Sequence, residues 1–134
     1  MKIRKFDSRK DLEMINQWWS DWSQDMANVD HLLSSEGYIV TENGEDLSAA
    51  WLYETNSYQC IIGWFVSNKS IGKKRRDKSI CFLLDYMENL AKEKGYLISI
   101  VYSNIDSMID RLENRGYIEG DKEVKNLIKI LGDK

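Results

Sequence analysis

Proline is absent from these 134 residues, histidine occurs once and cysteine twice. Without proline, a low-complexity tract or an internal repeat, the sequence offers no linker, and a single domain over residues 1–134 is expected. Cys60 and Cys81 lie in apolar runs without metal-ligand spacing and read as buried thiols. His31 stands in a polar stretch with no visible partner; it reads as a loop residue, although its ordinary pKa near ~6.5 suits a base. No metal site and no Ser–His–Asp or Cys–His arrangement is expected. No apolar run approaches the ~20 residues needed to span a bilayer, and the basic N-terminus lacks an apolar signal core. A cytoplasmic location away from membranes is the expectation.

What is present is ordinary in bulk and uneven in detail. At 43% apolar and 31% charged residues, the chain has the composition of a soluble protein with a hydrophobic core. Its net charge is −3, yet residues 69–78 carry +5, which leaves −8 elsewhere. Lys69, Lys73, Lys74, Arg75, Arg76 and Lys78 crowd a short polar loop and the start of a helix. There unpaired backbone N–H groups already attract anions, and positive side chains oppose the helix dipole. A phosphorylated ligand would explain so plain a breach of a local rule. The plainer reading is a solvated charge run. Nucleic acid is disfavoured, because no aromatics interleave the basic residues.

Periodicity predicts a short strand over residues 2–6, then a helix opened by a capping box at Ser8–Asp11 and carrying Leu12, Ile15, Trp19 and Trp22. A second short helix is expected around Asp30–Leu33. Gly37–Glu42 and Leu47–Tyr53 read as a hairpin about Asn43-Gly44, followed by a strand over Tyr58–Val66. Ile80, Leu83, Leu84, Met87, Leu90 and Ala91 form a helical stripe closed by Gly95. A strand over Leu97–Val101, a helix from about Ile105 to Gly116, and one or two strands in Tyr117–Leu131 complete the order. The strand–helix–strand step from Tyr58 to Val101 requires parallel pairing. The expected fold class is α/β (α+β): a mixed, mainly antiparallel sheet flanked by helices, with one parallel pair.

This order, the strand–basic loop–long helix at its centre, Ser103-Asn104, and Arg111-Leu112-Glu113-Asn114-Arg115-Gly116-Tyr117 resemble the GNAT superfamily of N-acetyltransferases over essentially the whole chain. More narrowly, Trp18-Trp19, Gly37-Tyr38-Ile39-Val40, Trp51-Leu52-Tyr53-Glu54-Thr55-Asn56-Ser57 and Trp64-Phe65-Val66-Ser67-Asn68 resemble a compact GNAT-like group common in tailed bacteriophages, which would place the protein in a host cytoplasm. The resemblance implies acetyl-CoA as co-substrate, an amine of a small molecule or a protein as acceptor, and no metal. Val66, Ser67 and Asn68 fall where the family offers backbone to the pantetheine arm. Lys73, Lys74, Arg75, Arg76 and Ser79 fall at its phosphate loop, and Asn104 at a further coenzyme position.

Two departures qualify it. The family's phosphate loop is glycine-rich so that backbone can approach the pyrophosphate. Here Gly72 stands alone and early, with Ser79 as the small residue. The tyrosine that often protonates the departing thiolate is replaced by Leu112, which cannot donate a proton. Tyr102 and Tyr53 are the alternative acids, each also readable as a packing residue. Glu54, at the end of the third strand near the place where central strands would splay, is the candidate base if Trp51, Tyr53 and Trp64 shelter it. Its plainer reading is an exposed carboxylate beside a turn. Trp19 and Trp22 are expected on the core face, with Trp18 toward the substrate. The competing function is a GNAT-like domain without chemistry, binding a coenzyme or a host protein. A monomer and an edge-strand homodimer are both compatible with the sequence.

Overall fold

Alternating and continuous apolar runs carry the first three quarters of the chain into a sheet sandwiched between helices. The structure, a computed structural model, describes residues 1–22 and 32–132. His31 lies outside the described residues, as does the start of the short helix expected around Asp30–Leu33. Two compact units form, Met1–Tyr102 and Ser103–Lys134.

The first unit runs β1 (Lys2–Lys5), α1 (Ser8–Asp21), β2 (Glu36–Glu42), β3 (Glu45–Tyr53), β4 (Gln59–Ser67), α2 (Lys73–Glu93) and β5 (Ile98–Ile100). The sheet order is β1-β2-β3-β4-β5. The first three pairings are antiparallel, and β4 with β5 is parallel, as the strand–helix–strand step requires. Asn43 and Gly44, with φ of 53° and 80°, make the tight β2–β3 turn. On one face Phe6, Ile15, Trp18, Trp19, Ile39, Ala49, Trp51 and Val66 form the core beneath α1. On the other, Val40, Leu47, Leu52, Cys60 and Ile62 pack with Leu83, Met87 and Ala91 of α2.

Close approach explains one glycine. A Cβ at Gly37 would lie 2.2 Å from Trp51 Nε1 and 2.9 Å from Phe6 Cβ. Trp51 needs that space: Phe6 packs edge-on against it at 5.2 Å, and Trp19 lies at 5.8 Å.

The start of α1 departs from the sequence reading by one residue. Asp7, not Ser8, is the N-cap, its carboxylate accepting from the Arg9 N–H at 2.9 Å. Asp11 accepts in return from the Asp7 N–H at 2.8 Å, and Arg4 holds both Asp11 oxygens at 2.9 Å while also reaching Asp46. Burial works to raise the Asp11 pKa, but these hydrogen bonds hold it below the ordinary carboxylate value. The tryptophans also depart. Trp18 and Trp19 are both buried, whereas Trp22 is the half-exposed C-cap of α1 and not a core residue. The helix ends before Trp22, so helical spacing no longer fixes its direction.

The second unit contains α3 (Asp106–Asn114), closed at Gly116, with Met108 and Leu112 buried. The strands expected in Tyr117–Leu131 are not found: among the described residues beyond Gly116 no strand occurs. Leu127, Ile128, Ile130 and Leu131 are exposed and come in adjacent pairs, not in the alternation a half-buried strand needs.

Candidate active site

The sheet comes apart along β4. Its parallel partner β5 pairs only through Gln59↔Ile98, Cys60↔Ser99 and Ile61↔Ile100. Strand β4 continues to Ser67, so from Ile62 onward its second edge has no strand partner among the described residues. N–H and C=O groups on such an edge are free to bind an extended ligand.

A bulge sits in that unpaired stretch. Ala49 faces Val66 and Trp51 faces Gly63, so two residues, Trp64 and Phe65, oppose Ala50 alone. Packing identifies the extra one. Ile62 and Phe65 contribute to the α2-side core, Trp64 and Val66 to the α1-side core. Removing Trp64 from the count restores strict alternation. Trp64 also has φ of 59°, in the left-handed region that bulky residues avoid. Strain of this kind persists where surroundings enforce it and gathers at ligand sites. The indole is held edge-on by Trp19, 6.1 Å away.

Beyond β4, Asn68 builds the turn into α2. Its N–H donates to Leu47 O at 2.9 Å, its Nδ2 to Asp46 O at 3.1 Å, and its Oδ1 accepts from the Ser70 N–H and hydroxyl. Gly72 is the N-cap of α2 and supplies no side chain to the helix. The first helical bond runs from the Arg76 N–H to Gly72 O at 3.1 Å, which leaves the N–H groups of Lys73, Lys74 and Arg75 outside the helical ladder. Lys73–Lys78 therefore belong to the helix, not to a loop.

The cations of that turn differ in what holds them. Lys73 pairs with Asp77 at 2.8 Å. Arg75 is bound to Glu42 at 3.1 Å and Glu45 at 3.0 Å, the carboxylates flanking the hairpin turn, and these hydrogen bonds raise its pKa further. Arg76 donates to Ile71 O and lies 5.3 Å from the Trp22 ring. Lys74 has no ion pair among the described residues and is exposed. Ser79 is buried in the second turn, its hydroxyl donating to Arg76 O at 2.8 Å, and does not reach the helix start.

Glu54 takes the plainer of its two readings, an exposed carboxylate beside a turn. The register sets Tyr53 opposite Ile61, so Glu54 lies at the paired end of β4, away from the parting edge. It is exposed, pairs with Lys94 at 3.6 Å, and accepts from the Tyr96 hydroxyl, which also meets Thr55. The expected shelter of Trp51, Tyr53 and Trp64 is absent, because a residue past the strand end leaves the packed face. Tyr53 is a packing residue: its hydroxyl donates to Leu32 O at 2.6 Å, and burial pushes its pKa upward. Tyr102 follows β5 at the parting end and is exposed. Asn104 belongs to the second unit, in the segment before α3. Val66, Ser67 and Asn68 are brought together at the end of the open edge, beside the first turn of α2.

Sequence reasoning counted Lys69 in the basic cluster and set Trp22 on the core face of its helix, but did not bring the two together. The Trp22 Nε1 donates to Ser67 O at 2.8 Å, and Lys69 Nζ lies 4.9 Å from its ring centroid. Their nearness needed the end of α1 to be set against the end of β4, which local periodicity does not give. Among the described residues no group of His, Cys, Asp and Glu could hold a metal ion, and no helix is long and apolar enough to cross a membrane.

No family model matches this sequence, and no curated protein matches it. Solved structures do. A protein described as a probable acetyltransferase aligns over 100% of both chains with a TM-score of 0.68 and 17% identity. An aminoglycoside acetyltransferase from an uncultured soil metagenomic sample, in complex with sisomicin, aligns over 98% of this chain and 96% of its own, with a TM-score of 0.62 and 11% identity. A Mycobacterium tuberculosis protein in complex with CoA aligns over 92% of this chain and 76% of its own, with a TM-score of 0.66 and 14% identity. The parting parallel pair, the flanking helices and these likenesses together give the chain the GNAT fold.

Proposed function

We propose that this protein is an N-acetyltransferase, moving the acetyl group of acetyl-CoA directly onto an amine of a small molecule or a protein. The observation that carries the reading is the open, bulged edge of β4 from Ile62 to Ser67, running toward a helix start whose leading N–H groups lie outside the helical ladder and whose side chains are basic. An extended pantetheine arm fits the first feature, and a diphosphate fits the second. The CoA bound to one structural neighbour and the aminoglycoside bound to another support this pairing of ligands.

In the reaction the amine nitrogen forms a bond to the thioester carbonyl carbon as the carbon–sulfur bond breaks. The nitrogen loses a proton and the thiolate gains one. The protein contributes alignment and a backbone N–H of the bulged segment directed at the carbonyl oxygen. Val66, Ser67 and Asn68 take the arm, while Lys73, Lys74 and Arg76 supply the positive field for the phosphates. Tyr102, at the open end, is the proposed proton donor to sulfur. Glu54, ion-paired at the closed end, is assigned a structural role, and the amine loses its proton through water. The short strings that resemble a compact phage group of this fold support a place in that group and a host-cytoplasmic setting.

A second reading has one observation in its favour. Residues 62–67, Ile-Gly-Trp-Phe-Val-Ser, carry no titratable side chain, which suits a domain that binds coenzyme or a partner protein without catalysis. Thermal shift with acetyl-CoA, CoA and buffer, followed by acetylation of an amine panel, separates them. Stabilisation by both coenzymes with amide product supports the transferase. Stabilisation without product supports the second reading, and no shift at millimolar coenzyme refutes both coenzyme-binding readings.

A further inference from the structure

Trp22 ties three parts of the molecule to one ring. It caps α1, its indole N–H donates to the carbonyl of Ser67 at the end of β4, and its ring carries Lys69 and Arg76 from the turn and first helical turn that follow. Both cations lie within the ~6 Å at which a ring face attracts positive charge. Lys69 Nζ also donates to Asp21 O at 3.0 Å, and Arg76 to Ile71 O. Among the described residues neither has a carboxylate partner, in contrast to Lys73 and Arg75. A π face and main-chain carbonyls orient these charges without neutralising them. Two like charges are thus gathered at one ring near the positive end of a helix, a field that attracts a phosphate dianion.

We propose that Trp22 is a positioning residue for the coenzyme's phosphates, holding Lys69 and Arg76 in place and in register with the end of β4. The inference rests on the acetyl-CoA reading above. It assigns Trp22 chiefly to phosphate recognition: the ring meets the two cations, and the indole N–H holds the Ser67 carbonyl at the end of the strand that is given the pantetheine arm. Trp22 therefore sets the preference for coenzyme A over a phosphate-free pantetheine thioester.

Calorimetric dissociation constants for CoA and S-acetylpantetheine, measured on wild type, Trp22→Phe and Trp22→Leu, test this. Trp22→Leu should weaken CoA binding about tenfold, from two lost cation–ring contacts, while the pantetheine thioester changes less than about twofold. Trp22→Phe, which keeps a ring, should recover most of the preference. Should Trp22→Leu fail to fold by circular dichroism, the Lys69→Met/Arg76→Met double variant must show the same selective loss. Equal weakening of both ligands, or unchanged CoA affinity, overturns the inference and leaves the coenzyme reading standing. A wild type that binds no CoA overturns both.

Discussion

Deleting Trp64 tests whether the bulge is what opens β4. The register opposes Trp64 and Phe65 to Ala50 alone, and the two core faces alternate correctly once Trp64 is removed. The shortened strand should therefore pair regularly with β3 and keep its core. Trp64 is half-buried and meets Trp19 edge-on at 6.1 Å and 73°. Losing about half of a ~200 Å² indole surface at ~25 cal/mol/Å² costs about 2.5 kcal/mol, and the ring pair adds about 0.5–1 kcal/mol. Relief of the left-handed backbone returns about 1–2 kcal/mol. The net loss, about 1–2.5 kcal/mol, corresponds to a Tm decrease of roughly 3–12 °C. Differential scanning calorimetry measures the first quantity and isothermal titration with acetyl-CoA the second. The deletion should fold and lose coenzyme binding, while Trp64→Gly, which keeps the bulge and accepts its φ, should bind. Wild-type affinity in the deletion would refute the argument, and so would loss of binding in both variants with folding intact.

Other consequences follow from particular contacts. Gly37→Ala places a Cβ 2.2 Å from Trp51 Nε1, so the buried indole must shift; calorimetry should show a loss of about 2–3 kcal/mol, or roughly 6–15 °C in Tm. Glu54→Gln should leave the acetylation rate within about twofold, because it removes only an exposed pair worth about 0–1 kcal/mol, whereas Tyr102→Phe should slow it about 100-fold or more. A hundredfold loss in Glu54→Gln would restore that residue as the base. Asp11 is held below its ordinary pKa by Arg4 and the Asp7 N–H against the effect of burial, and Glu36 by the Tyr38 hydroxyl. Depressed folded values mean stability that is complete above the unfolded carboxylate values near ~4 and lost as pH falls through the folded ones. Urea unfolding should thus give a plateau from neutral pH to about pH 5 and a decline below ~4, shallower in Asp11→Asn.

Much of the fold was legible because it rests on local signals. Asn43-Gly44 between alternating strands, the stripe from Ile80 to Ala91, and Gly95 at its end dictated the hairpin, the long helix and the parallel return strand. What was not legible depends on distant pairings. Glu54 looked near the splay until the Tyr53↔Ile61 register placed it at the paired end. Arg75 looked free for phosphate until the hairpin brought Glu42 and Glu45 beside it. Trp22 followed Trp19 at helical spacing, but the helix ends one residue before it. The bulge at Trp64 carries no glycine at the strained residue to announce it, and the tail's apolar residues suggested strands that nothing in their spacing supports.

In the proposed complex, acetyl-CoA lies along the open edge of β4 with its phosphates at the start of α2. Amide hydrogen exchange with and without saturating acetyl-CoA locates the ligand most directly, because it reports the backbone groups this placement depends on. Protection should appear in peptides covering Gly63–Ser67 and Gly72–Arg76, and not around Glu54–Tyr58 at the paired end. Protection confined to other segments, or no protection at a coenzyme concentration that saturates a measured binding isotherm, would rule this placement out.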